Sequence, residues 1–196
     1  EVMDRGKVSV EGQTYNVGSP FAVFATQNPV DYEGTFPLPE SQMDRFLMRL
    51  QMGYPRYEAE LEILHSSSSR LTYDHIEPVP VVTRQDVLEI QHYVPRVFVE
   101  ESIYHYILNI VGATRTEVEF RAGISTRGTL ALKLVAQANA LMAGRSFVVP
   151  EDVAESVTKV FTHRLGLRRQ TADSLDERRQ VEGMLNRIVD SIELPA

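Results

Sequence analysis

Apolar and polar positions alternate on both sides of a glycine turn near the start of the chain, with Val8 and Val10 before Glu11-Gly12 and Tyr15 and Val17 after it. That pattern predicts a β-hairpin over residues 7–17. Phe21-Ala22-Val23-Phe24-Ala25 is a short unbroken apolar run, as expected of a strand covered on both faces. It stops at Thr26-Gln27-Asn28-Pro29. The segment from Pro29 to Pro39 contains three prolines and Gly34, which predicts an irregular loop, with a short helix from Glu40. Met48, Leu50 and Met52 alternate with Arg49 and Gln51 and predict another strand, closed by Gly53-Tyr54-Pro55.

Beyond Pro55 every periodic segment has helical spacing. Leu61 and Leu64 belong to a helix that fades into Ser66–Ser69, and Pro78 and Pro80 mark a connecting loop. Thr83 with Asp86 reads as a capping box ahead of Val87, Ile90 and Val94, with Pro95 as the stop. Further stripes run through Ile103, Ile107, Ile110 and Val111, and through Leu130, Leu134, Ala138 and Leu141 up to Gly144. Pro150-Glu151-Asp152 opens a helix bearing Val153, Val157, Val160 and Phe161. Ser174 with Glu177 caps a last one bearing Val181, Met184, Leu185, Ile188 and Ile192. The expected organisation is therefore an α/β segment over residues 1–53 and an all-helical domain over 54–196.

Composition narrows the function classes. The 196 residues are 43% hydrophobic and 24% charged, enough for a packed core. No apolar stretch approaches a membrane span and no signal-peptide pattern opens the chain, so a cytoplasmic protein with no membrane contact is expected. The complete lack of cysteine removes disulfides, thiolate nucleophiles and cysteine metal sites. A net charge of −7 argues against nucleic acid as a partner. The five histidines show no ligand spacing, and no protein-held metal is expected. No nucleophile elbow is present. Gly6-Lys7-Val8 is no phosphate loop, because it lacks the upstream glycine and the hydroxyl residue after lysine. The opening residues, Glu1 to Arg5, read as the end of a helix, so a fragment of a longer protein is expected.

Three residues carry candidate chemistry. Asn28, at the carboxyl end of the Phe21 run, can donate to a phosphate and accept from a water, or simply turn the chain before Pro29. Arg45 is a guanidinium suited to stabilising a transferring phosphoryl, or a surface arginine paired with Asp44. Arg127 falls in the first turn of a helix, where a cation opposes the macrodipole at a cost of about 0.3–1 kcal/mol. A bound anion would offset that cost, while a solvent-facing arginine on a long helix could simply bear it.

Taken together, Ala25-Thr26-Gln27-Asn28-Pro29, Glu33-Gly34-Thr35-Phe36-Pro37-Leu38-Pro39-Glu40, Gln42-Met43-Asp44-Arg45-Phe46, Gly53-Tyr54-Pro55, Gly123-Ile124-Ser125-Thr126-Arg127, Val149-Pro150-Glu151-Asp152-Val153 and His163-Arg164-Leu165 resemble the C-terminal portion of the MoxR family of AAA+ ATPases. The resemblance covers nearly the whole chain and departs from the family at Thr126, where proline is usual. It implies an α/β remnant of an AAA+ core followed by a helical lid. It implies that Asn28 is the sensor-1 residue, Arg45 the arginine finger offered to the neighbouring subunit, and Arg127 the sensor-2 arginine, with Tyr54 and Pro55 near the nucleotide. It also implies ATP and Mg²⁺ in an intact parent, a homo-oligomeric ring acting as a chaperone-like remodeller, and von Willebrand factor A-domain partners. With no Walker A or Walker B motif in these residues, the chain alone is expected neither to bind nucleotide tightly nor to hydrolyse it. A magnesium-chelatase-like subunit or nucleic-acid motor, and a helical interaction module without nucleotide chemistry, are the competing readings.

Overall fold

A computed structural model of the chain describes residues 2–27, 38–66, 79–169 and 174–195. A single helical turn, α1 (Val2–Arg5), leads into the hairpin of β1 (Lys7–Val10) and β2 (Gln13–Asn16). The strands pair antiparallel with Val10 opposite Gln13, which leaves a two-residue loop of Glu11 and Gly12. Both loop residues have positive φ, 50° and 80°, as a tight hairpin turn demands, so glycine at 12 has a steric reason.

The two further strands expected from the sequence do not form. Residues 21–27 and 47–52 run without regular structure, and the hairpin is the sheet found among the described residues. A strand exists only through the ladder it shares with a neighbour. Among the described residues the Phe21 run pairs with none, leaving Phe24 92% exposed. The Met48 segment takes another partner, since the Arg49 N–H donates to the Lys159 carbonyl in the last turn of a helix (2.8 Å).

The remainder is helical, as read from the sequence: α2 (Glu40–Met43), α3 (Tyr57–Ser66), α4 (Arg84–Tyr93), α5 (Glu101–Thr116), α6 (Thr126–Met142), α7 (Pro150–Phe161) and α8 (Ser174–Ser191). The capping box of α4 is fully made. Thr83 Oγ1 accepts from the Asp86 N–H and the Asp86 carboxylate accepts from the Thr83 N–H. Pro95 ends the helix in a 3-10 turn at Val94–Arg96. The Ser174 side chain lies outside the described residues, so its cap does too; Glu177 accepts from the Leu167 N–H at 3.0 Å.

One core holds α5 to α8 together, built from Ile103, Ile107, Ile110, Val111, Val153, Val157, Val160, Phe161, Val181, Met184 and Leu185, all buried. Each follows its predicted stripe. Helix α6 departs from its own. Leu130 is 62% exposed and Leu134 stands outside the core, while Ala131, Leu132, Val135, Ala136 and Ala140 are buried. The helix is apolar around most of its circumference, and its alanine-rich side allows the closest approach of α7, so packing and not leucine content selects the buried face. Gln137 is also buried there, and its Nε2 donates to the Val97 carbonyl at 2.7 Å. Among the described residues, no helix is long and apolar enough to cross a membrane.

Candidate functional site

The N-terminus of α6 carries one of the candidate residues, Arg127. Ser125 is its N-cap, with extended backbone angles (φ −72°, ψ 163°) and a side-chain oxygen that accepts from the Gly128 N–H at 3.2 Å. Arg127 stands in the first turn, half exposed. The anion that its position calls for is, within this chain, the carboxylate of Asp44, whose Oδ2 lies 3.9 Å from an Arg127 guanidinium nitrogen. Oδ1 of the same carboxylate accepts from Arg164 Nε at 3.1 Å and from the Ser125 hydroxyl at 3.4 Å.

Arg164 organises the cluster. Its side chain is only 3% exposed, at the end of α7 beside the buried Val160 and Leu165. Its guanidinium donates to the carbonyls of Asp44 (3.3 Å), Phe46, Leu47 (3.2 Å) and Val160. Burial pushes the guanidinium below its ordinary pKa, and the Asp44 carboxylate opposes that shift. Space for the arginine stem depends on Gly128, where an added Cβ would lie 2.7 Å from Ile124 Cγ2 and 3.2 Å from Arg164 Cδ. Gly123 is likewise confined, because a Cβ there would come within 2.4 Å of the Arg115 Cα.

His163 sits beside it. Its Nε2 lies 3.1 Å from the Phe46 carbonyl and 2.8 Å from Arg164 Nη1, while Nδ1 is buried with no hydrogen-bond partner among the described residues. Burial first, then the Arg164 charge, lower its pKa to about 4, so the ring is neutral at physiological pH.

The remaining candidates are placed unevenly. Arg45 is exposed and adjoins Asp44; its N–H closes the turn after α2 by donating to the Gln42 carbonyl (3.2 Å). Asp44 forms ion pairs with Arg164 and Arg127. Asn28 lies outside the described residues; its neighbour Gln27 accepts from Arg178 of α8 at 3.4 Å. Tyr54 is 97% exposed and Pro55 is exposed too, on the approach to α3. Spacing alone does not single out Arg164 or Ser125 as site residues. A signal for Arg164 does exist, because it continues the α7 stripe of Val153, Val157 and Val160 by helical steps and so belongs to its buried face.

A guanidinium, a hydroxyl and the amides of a helix N-terminus form a donor set for a phosphate. The set does not fit Mg²⁺, since its one carboxylate is engaged by two arginines and no group of three or more metal-ligating side chains occurs among the described residues.

Comparisons with known proteins place the chain among AAA+ proteins. Residues 1–48 match the profile of the "ATPase family associated with various cellular activities (AAA)", and residues 112–184 match that of the "AAA lid domain". The chain is 38% identical over 195 residues to "Uncharacterized protein YeaC" of Bacillus subtilis, covering 100% of this chain and 59% of that protein. It is 35% identical over 204 residues to "Chaperone MoxR1" of Mycobacterium tuberculosis, covering 100% and 52%. It is 28% identical over 186 residues to "Protein MoxR" of Methylorubrum extorquens, covering 85% and 53%. A crystal structure of a "putative ATPase" from Cytophaga hutchinsonii superposes with a TM-score of 0.80 at 33% identity, over all of this chain and 60% of that one. The chain thus spans between half and three fifths of the length of these relatives. With a hairpin and helical lid of the right order, and two family profiles matched in sequence, the chain belongs to the MoxR family of AAA+ ATPases.

Proposed function

We propose that this chain is the nucleotide-sensing portion of a longer MoxR-type protein that hydrolyses ATP in a homo-oligomeric, cytoplasmic ring and acts as a chaperone-like remodeller, with von Willebrand factor A-domain partners. The observation that carries the reading is Arg127 at the N-terminus of α6, set against the segment that bears Asp44 and Arg45. In this reading Arg127 of the helical domain (residues 54–196) contacts the phosphates of ATP bound to its own subunit. Arg45 of the preceding part (residues 1–53) reaches the nucleotide of the next subunit, and Asn28 positions the attacking water. Tyr54 and Pro55 line the nucleotide's approach between the two parts. The phosphate loop and the acids that hold Mg²⁺ come from residues outside this sequence, so the chain alone does not turn ATP over.

The test is ATP turnover by the full-length protein as a function of its concentration. Turnover per subunit rises with concentration, and Arg45→Ala lowers it by at least about tenfold with nucleotide still bound. Arg127→Ala weakens nucleotide binding. Turnover independent of concentration and unaffected by Arg45→Ala would remove the shared-site reading.

A further inference from the structure

The carboxylate of Asp44 meets both Arg127 and the Ser125 hydroxyl at the N-terminus of α6, and its two oxygens are held very differently. Oδ1 is anchored by the buried Arg164 at 3.1 Å and by the Ser125 hydroxyl at 3.4 Å. Oδ2 meets an Arg127 side chain that is 51% exposed, at the longer distance of 3.9 Å. A half-exposed ion pair of that length contributes little, whereas a phosphate can take the same guanidinium through two short charge-assisted bonds. The carboxylate cannot leave with Arg127, because Arg164 is buried and also grips the backbone carbonyls of Asp44, Phe46 and Leu47. A fixed negative charge therefore remains beside any anion that Arg127 binds.

We propose that Asp44 is a positioning residue that competes, as an internal anion, with the nucleotide phosphate for Arg127, and so sets how tightly the site holds nucleotide. It holds the arginine while no phosphate is present and yields it on binding, and its charge weakens nucleotide affinity throughout. This rests on the assignment of Arg127 as a nucleotide contact.

Asp44→Asn keeps an acceptor oxygen for Arg164 and Ser125 but removes the charge. In the full-length protein, titrated with a fluorescent ADP analogue, Asp44→Asn tightens binding by about three- to tenfold. A residue with only a structural role does not tighten binding when it is disturbed. The gain disappears in an Arg127→Ala background, because the competition has lost its object. Should Asp44→Asn fail to give a cooperative melt, Asp44→Ser carries the same expectation. If Arg127→Ala alone weakens binding while the Asp44 variants leave it unchanged or weaker, or tighten it equally without Arg127, the competition is refuted and the sensor assignment stands. If Arg127→Ala leaves binding unchanged, both fall.

Discussion

Arg164 shows how much one side chain can determine. Four carbonyls and a carboxylate converge on its guanidinium, and its exposure is 3%. Removing the head takes a donor from each of those carbonyls and its anchor from Asp44, so Arg164→Ala is expected to cost roughly 3 kcal/mol in urea unfolding. Gly128→Ala acts on the same arginine from the opposite side. Its Cβ must displace Ile124 or the Arg164 stem, and a loss of about 1–3 kcal/mol is expected by the same measurement. At this scale the sequence was only partly legible. The place of Arg127 in the first turn of a helix was legible from the helical pattern that follows it. For Asp44 the sequence offers the adjacent Arg45 as a partner, while the fold also brings it Ser125, Arg127 and Arg164, 81 to 120 residues distant, and no local pattern encodes such a pairing.

Elements were legible in proportion to how locally their stability arises. The hairpin is specified by a turn that needs positive φ twice, and α4 by a capping box closed within four residues, so both could be read directly. Thr83→Ala should speed amide hydrogen exchange in the first turn of α4 by an amount equivalent to about 1 kcal/mol. The global unfolding midpoint should barely move, since α4 buries none of its residues and contributes little to the core. Helices α7 and α8 were legible because one face alone is apolar. The buried face of helix α6 was not, because leucine and alanine surround it and the choice of face belongs to the neighbouring helices. The Phe21 and Met48 runs have strand patterns whose fulfilment depends on partner strands, and pairing is a property of two segments, never of one.

For the molecule as a whole, acid is expected to destabilise the fold from a higher pH than carboxylate protonation alone would produce. His163 ionises near 4 when folded and near 6.5 when unfolded, so between those values the unfolded chain binds more protons. The stability this provides is complete above about pH 6.5 and is lost as pH falls towards 4, by roughly 3 kcal/mol in total. Asp152 adds a later loss. Burial raises its carboxyl, but Arg145, at 2.6 and 2.7 Å, and the Val149 N–H outweigh that and hold it below the usual carboxylate range. Its contribution disappears as pH falls through that depressed value. Urea unfolding between pH 7.5 and pH 4 should show the first loss, and His163→Gln should flatten it.

The grip of α7 on residues 44–49 also has a mechanical meaning. Arg164, His163 and the Lys159 carbonyl fasten that stretch of backbone to the helical bundle at several points. Arg45 therefore rides on the bundle although it precedes it in the chain. Any swing of the bundle moves the Arg45 guanidinium as the tip of a lever, and the stroke is delivered wherever that tip rests. In the ring proposed above, one subunit's tilt would become its neighbour's trigger, with timing set by rigid attachment and not by diffusion.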